Sequence, residues 1–505
     1  MKLNTHIQTL APRFKSIFPV LLYVLAVLLV TILPVVFWQM KLSIVARTYD
    51  GSVPGMLDSQ PFELFGLFIS IVLVAATWLN IEKQKKKSLI TLTPIILPLF
   101  VSLQILFVLL EESHPQGSDY LCYENAAQAV ITGLNPYSVY LKCYLYPPLQ
   151  AQVLAFLYQA TDWGLMFHSE NPQKVWNIVF YFYQCGQFLQ ILLAYYLTYQ
   201  LAQKMGLRVI PASLIVSALF LFNDPLVRTI KFNQINVWVL NCFLLTILWV
   251  PRHPFFSGLA VALGAHIKLY TFSLLLPWTL TKQWRAVLGV IAGFSAILLL
   301  QTDFGQDWTL WQQFLGYFTQ RVEKPSNYRN SSIWSFIYNF AKIPGRFTDA
   351  SFFDFVPFVI AAMNLLIVAW FIVRVVKREK AYSELVKASN PSRSSWNETY
   401  RSYGDAIDAI SLGLLVSPSV WEHHYVLAIP IALWAIVLRR HDRLWLTGIG
   451  VFLIFCLPTF DVFPLSHHRM MGLLILIYLT SPASVEKYLS RLSRKSDLIV
   501  DQWLV

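Results

Sequence analysis

Apolar runs long enough to cross about 30 Å of hydrocarbon recur along almost the whole of this chain, and that single feature limits it more than any motif. Such runs occupy residues 18–38, 64–79, 89–110, 175–201 and 352–373, with shorter pieces at 209–222, 235–250, 255–267, 270–280 and 286–300. Backbone inside a bilayer must satisfy its own hydrogen bonds, so the expected fold is all-α, a polytopic transmembrane helical bundle of roughly 12 to 14 spans. Composition agrees. Of 505 residues 56% are hydrophobic and 13% charged, against about 25% charged in ordinary soluble domains. No stretch is left for a separate soluble enzyme. The pieces shorter than about 17 residues read as broken or tilted helices lining a cavity.

The formal net charge of +12 would suggest nucleic acid in a soluble protein. Here most Lys and Arg sit in short connections between apolar runs, where they mark the cytoplasmic face, so no nucleic-acid partner is expected. Lys2, Arg13 and Lys15 precede the first run and place the N-terminus inside as an uncleaved anchor; Lys83, Lys85, Lys86 and Lys87 are inside, the basic stretch 374–401 reads as a cytoplasmic loop, and a tail from 483 is inside. The expected organisation is one integral membrane domain over 1–505: N-terminal spans 1–110, a first external loop 111–173, middle spans 174–300, a second external loop 301–351, C-terminal spans 352–482 and a tail 483–505. The expected location is the cell membrane, with the polar groups described next on its outer side. Among the five cysteines, a Cys122–Cys143 bridge in the first external loop and a pair of free thiols are both open.

In the first external loop, Tyr123, Ala126, Ala127, Val130 and Ile131 follow helical spacing, with Glu124, Asn125 and Gln128 on the other face. This predicts a three-turn helix lying on the membrane and ending at Gly133. Asp119 stands at its start, as a cap of that helix or as a base at the mouth of a partly dry cavity. Counting alternate crossings puts Asp119, Arg228, Lys231, Lys268, Arg321, Arg329, Glu422, His423, His424, His467 and His468 at outer ends or in outer loops. Cations there run against the usual charge bias, and an anionic partner such as a phosphate would account for them, as would snorkelling to lipid head groups. No nucleotide-binding or metal-binding motif is present, so neither a cofactor nor a metal is expected.

Six short motifs follow Asp119-Tyr120 in order: GLNPY (133–137), YPPL (146–149), NQIN (233–236), IKLY (267–270), NSS (330–332) and SPSVWEHHY (417–425). In this order they resemble glycosyltransferase family 87, polyprenol-phosphate-sugar-dependent membrane enzymes of GT-C architecture, many of them mannosyltransferases. The resemblance covers about 111–480. It implies Asp119 as general base, Lys268 holding the donor phosphate, and Trp421 and His423 lining the same cavity; Arg228, Lys231 or His423 would help Lys268 with the departing phosphate, and Trp421 and His424 are expected to touch substrate. Tyr123, Tyr137, Gln234, Asn236, Arg329 and Asn330 are the further expected substrate contacts. Partners would be a polyprenyl-phosphate-linked sugar, a glycolipid or glycan acceptor, and membrane lipids. Two positions depart from the pattern: Asn233 stands where a glycine is common, and Leu269 where a proline is usual. A multi-pass transporter or lipid flippase is the rival reading, and an inactive GT-C scaffold a third. A transporter would favour ionisable groups near the midplane and pseudo-symmetric halves, whereas here the charges gather at one face.

Overall fold

The computed structural model describes residues 87–113, 119–138, 143–164, 172–320, 330–341, 355–388, 391–439, 443–457, 459–460 and 463–482. The chain divides into two compact units, 1–92 and 93–505, and the architecture that follows is that of the second. The expected spans before residue 87, Arg321 and Arg329 lie outside the described residues.

Among the described residues the secondary structure is helical apart from one isolated antiparallel bridge between Asn330 and Trp421. A long helix α1 (Lys87–Glu112) precedes α2 (Asp119–Ile131), α3 (Leu149–Gly164) and α4 (Pro172–Lys204). Next come α5 (Val209–Leu221), α6 (Asp224–Lys231), α7 (Asn236–Trp249) and α8 (Pro254–Ile267). A 3-10 turn (Leu269–Leu274) runs into α9 (Leu275–Leu280), followed by α10 (Trp284–Gln301), α11 (Thr309–Gln320) and α12 (Ile333–Ala341). The C-terminal part holds α13 (Val356–Ala388), α14 (Pro391–Val416), a 3-10 turn (Glu422–Ala428), α15 (Ile429–Arg439), α16 (Leu444–Val451) and α17 (His468–Leu479).

Within α4, α10 and α13 lie stretches long and apolar enough to cross a membrane, and α5 with α6 makes a further, bent pair broken by 52°. The break has a local cause: Asn223 accepts from the Leu226 N–H at 2.8 Å and Pro225 follows directly, so a fresh helix starts there at a new angle. Several of the pieces between are short apolar helices, as the runs of fewer than about 17 residues predict. Large apolar side chains on α1, α10 and α13 point outward, among them Leu99, Phe107, Leu300, Phe358 and Leu365. Apolar surface on that scale needs lipid rather than water against it. Helices α7 and α15 each run through the interior, with Val237, Leu240 and Leu244 on one and Ile431, Ala432 and Leu433 on the other fully buried. Helices α8 and α10 touch backbone to backbone: a Cβ on Gly258 would meet the Ala286 carbonyl oxygen at 2.1 Å, and one on Gly289 the Phe255 carbonyl oxygen at 2.1 Å.

Two stretches differ from the sequence expectation. The basic stretch 374–401 is not a loop: α13 continues to Ala388 and α14 begins at Pro391. Its arginines are not solvated topology markers. Arg374 grips both carboxylate oxygens of Asp408 (3.0 and 3.1 Å from Nε, 2.7 Å from Nη2) and donates to the Ile477 and Thr480 carbonyls. Arg378 pairs with Asp405 and Asp408. Residues thirty apart thus neutralise one another inside the bundle, which no local reading of charge could anticipate. The stretch 301–351, expected as a second external loop, likewise contains the helices α11 and α12.

The predicted three-turn helix is present as α2, although Glu124, expected on its polar face, is buried. Gly133 takes a φ of +70°, with the Leu134 N–H on the Ala129 carbonyl (2.8 Å) and the Gly133 N–H on the Val130 carbonyl (3.3 Å), a Schellman ending that only glycine adopts without strain. Cys122 on this helix is disulfide-bonded to Cys143, which settles the choice left open above.

Candidate functional site

The site is assembled where four chain breaks meet: the start of α2, the turn between α6 and α7, the end of α8, and the 3-10 turn at Glu422–Ala428. Asp119 begins α2, and its backbone N–H donates to the Phe232 carbonyl at 3.1 Å, which docks that helix on the α6–α7 turn. The turn itself needs a left-handed residue, and Asn233 supplies it with a φ of +53°. Asparagine is among the few side chains that tolerate this region, so the same backbone accounts for the glycine common here in family 87. The Asn233 amide oxygen also accepts from the Ser113 hydroxyl.

Lys268 follows the last residue of α8 in extended backbone, which turns its side chain away from the helix. Its Nζ donates to Asn236 Oδ1 at 2.9 Å and lies 2.5 Å from His424 Nε2. The ring centroids of Tyr146 and Tyr270 are 5.1 and 5.6 Å away, a cation–π arrangement on two sides. Asp119 lies within the reach of this charge. Burial pushes its carboxyl up to about 6, and the Lys268 ammonium works in the opposite sense. A carboxylate so placed is ionised near neutrality yet basic enough to take a proton from a hydroxyl.

Around this pair the support is buried. Asn236 is fully enclosed and its Nδ2 donates to the His423 carbonyl at 3.3 Å; Thr229 donates to the same oxygen at 3.2 Å. His424 accepts at Nδ1 from the Trp421 N–H (3.0 Å). Tyr146 donates to Gln234 Oε1 at 2.9 Å, and Gln187 holds the Gln234 carbonyl at 2.7 Å. Asp119, Lys268, Tyr270 and Trp421 keep part of their surface accessible, whereas Asn236, Gln234, His423 and His424 do not. The arrangement is an approachable acid and base set in a rigid polar frame.

The structure therefore brings together Asp119, Lys268, Gln234, Asn236, Trp421, His423 and His424. The remaining expected residues stand further back. Arg228 is buried between two carboxylates, its Nε 3.5 Å from Asp224 and 3.7 Å from Glu422. Lys231, half-buried, closes α6. Tyr123 is enclosed among Tyr144, Tyr146 and Tyr183. Tyr137 donates to the Tyr146 carbonyl at 3.0 Å, so it braces the tyrosine above Lys268. Asn330 spends its amide on the 417–421 segment, donating to the Pro418 carbonyl and accepting from the Val420 N–H.

Sequence reading missed Tyr146 and Tyr270 as site members, although both lie inside the YPPL and IKLY motifs. It also missed Asp224, Thr459 and Arg469. Asp224 and Arg228 stand four apart, a spacing that could have paired them; Arg469 carried no local signal.

The model of glycosyltransferase family 87 matches residues 144–390. The resemblance read from the motifs holds over that stretch. It takes in Tyr146, the 228–236 segment, Lys268 and Asn330, and leaves Asp119 and the 417–425 segment outside. A polyprenol-phosphate-mannose-dependent alpha-(1-2)-phosphatidylinositol mannoside mannosyltransferase from Mycobacterium tuberculosis is 27% identical over 228 residues. That alignment covers 44% of this chain and 46% of the relative, so the chain spans about half the length of the relative it matches.

Proposed function

We propose that this protein is an inverting glycosyltransferase moving a hexose, mannose in the first instance, from a polyprenyl-phosphate donor to a lipid-linked or glycan acceptor. The observation that carries the reading is the meeting of Asp119 and Lys268, an accessible carboxylate and ammonium in a buried frame, in a chain matched by family 87. The mannosyltransferase relative supports mannose and a glycolipid acceptor.

In this reading Asp119 removes the proton of an acceptor hydroxyl as that oxygen attacks the anomeric carbon. The bond from that carbon to the phosphate oxygen breaks, and the polyprenyl phosphate leaves with the electron pair. Lys268 meets the charge that develops on the leaving phosphate, held on line by Asn236 and His424, and the buried frame keeps water from weakening that attraction. One displacement inverts the centre, so a β-linked donor gives an α-linked product. The disulfide between Cys122 and Cys143 favours an extracytoplasmic site, because such bonds persist on the oxidising side of the membrane. A bundle of 12 to 14 spans with both termini inside remains the topology we propose.

Sugar transfer from radiolabelled polyprenyl-phosphate mannose to membrane acceptors tests this, comparing wild type with Asp119→Asn at matched expression. Transfer by wild type with a loss of about 10²-fold or more in the variant is expected of a general base. Equal transfer would return Asp119 to a capping role, and no transfer by wild type would sink the reading.

A further inference from the structure

A buried ionic network lies directly behind the site, and its centre is a residue far from every motif. Arg469, near the start of α17, is fully buried. Its guanidinium reaches three elements at once: Nη2 pairs with Asp224 at the start of α6 and donates to the Leu457 carbonyl at 2.9 Å, while Nη1 donates to the Thr459 hydroxyl at 2.8 Å. Thr459 in turn donates to Glu422, and Glu422 faces Arg228, which faces Asp224. Two cations and two anions balance. The ring is closed by α6 on one side and the Glu422–Ala428 turn on the other.

What this ring holds is the turn that carries the site. Glu422 is followed by His423, whose carbonyl is gripped by Thr229 of α6 and by Asn236. His424 comes next, and Asn236 and His424 are the two groups touching Lys268 Nζ. From Arg469 to the half-buried ammonium every link is a named contact, and the groups before Lys268 are buried. A purely structural ion pair would not need to end on the one turn that sets the ammonium's position.

We infer that Arg469 is a positioning residue for the donor phosphate site, acting through Thr459 and Glu422 on the His423–His424 turn and so on Lys268; this rests on the transferase reading above. The residue type suits the task. Arginine presents a planar, rigid fork whose spread donors serve a carboxylate, a hydroxyl and a carbonyl together, whereas lysine offers its three donors from a single point.

The test compares wild type with two variants in detergent. Arg469→Met alone would leave excess buried negative charge and could fail to fold, so it is made with Asp224→Asn, which removes one charge of each sign. Thr459→Val cuts the relay with both charges in place. Each is assayed for thermal unfolding, for binding of polyprenyl monophosphate without sugar, and for transfer kinetics per folded molecule. We expect folded protein in both, with phosphate affinity and kcat falling about tenfold in the double variant and about threefold in Thr459→Val, donor KM rising and acceptor KM unchanged. A merely structural role predicts altered unfolding with kcat and donor KM per folded molecule as in wild type, and that result overturns the inference. If wild type binds polyprenyl phosphate yet transfers nothing, the transferase reading falls and the binding comparison alone decides this inference: equal affinities overturn it, a tenfold loss sustains it. Wild type that neither binds nor transfers overturns both.

Discussion

Two buried quartets of two arginines and two carboxylates can be set side by side. One joins α13 and α14 through Arg374, Arg378, Asp405 and Asp408; the other joins α6, α17 and the Glu422–Ala428 turn through Asp224, Arg228, Glu422 and Arg469. In the first, all four members sit on two long helices, and the spare guanidinium donors end on carbonyls at the close of α17. In the second, one carboxylate sits on a seven-residue 3-10 turn whose next two residues enter the site. Identical chemistry therefore has two uses: clasping helices that are already rigid, and stiffening a segment too short to be rigid by itself. What decides between them is the element that carries the charges.

The largest effect that would break this comparison is on the α13–α14 side. Arg378→Met strands buried carboxylates and is expected to cost about 3–5 kcal/mol of stability, seen as a lowered unfolding temperature, while kcat and both KM values of the folded fraction stay as in wild type. A change in donor KM would mean that the two quartets do not differ in kind. Next comes the covalent brace on the other region. Replacing Cys122 and Cys143 by serine opens a crosslink between residues 21 apart, expected to cost about 3 kcal/mol by loop entropy and to lower kcat, because α2 carries Asp119; denaturant unfolding and transfer rates read the two parts separately. Smaller again is the pH dependence. The base works ionised, and burial pushes the Asp119 carboxyl up to about 6, so kcat should fall about tenfold per unit below that pH; burial also brings the Lys268 ammonium down to about 7, so kcat should fall again above that pH as the charge facing the phosphate is lost. Neutralising Lys268, which lowers that titration, should move the acid limb to higher pH, whereas Arg378→Met should leave it in place. The smallest effect belongs to Asn233→Gly: the φ of +53° suits glycine, the Ser113 contact is lost, and stability should change by less than about 1 kcal/mol. Asn233→Val, which resists that backbone, should cost more.

Much of the site was legible because it is written in short motifs at chain breaks. NQIN, IKLY and SPSVWEHHY supply Asn236, Lys268 and His424, and these do converge; the helix from Asp119 to Gly133 was readable from its spacing and its terminal glycine. What escaped was whatever depends on a partner distant in sequence. Arg374 and Arg378 looked like topology signals until Asp405 and Asp408 were seen across the helix pair. Arg469 followed two histidines without distinguishing itself, and its partner Asp224 lies 245 residues away. Cys122 and Cys143 could be read as paired or free, because spacing alone does not say whether two segments meet. The helical class followed from apolar length, but the span count did not, since several apolar pieces are too short to cross by themselves.

The pairing of Arg469 with Asp224 also orders events during synthesis. Helix α6 leaves the ribosome long before α17; Asp224 and Arg228 balance each other until Glu422 is made, and from then until Arg469 emerges the ring is one cation short. The buried ring closes only when nearly the whole polypeptide has been made and inserted. A chain cut short before Arg469 would carry every motif of the site and still lack the counter-charge that seats its histidine turn, so premature termination late in the gene should yield protein that is recognisable by sequence and incompetent in chemistry.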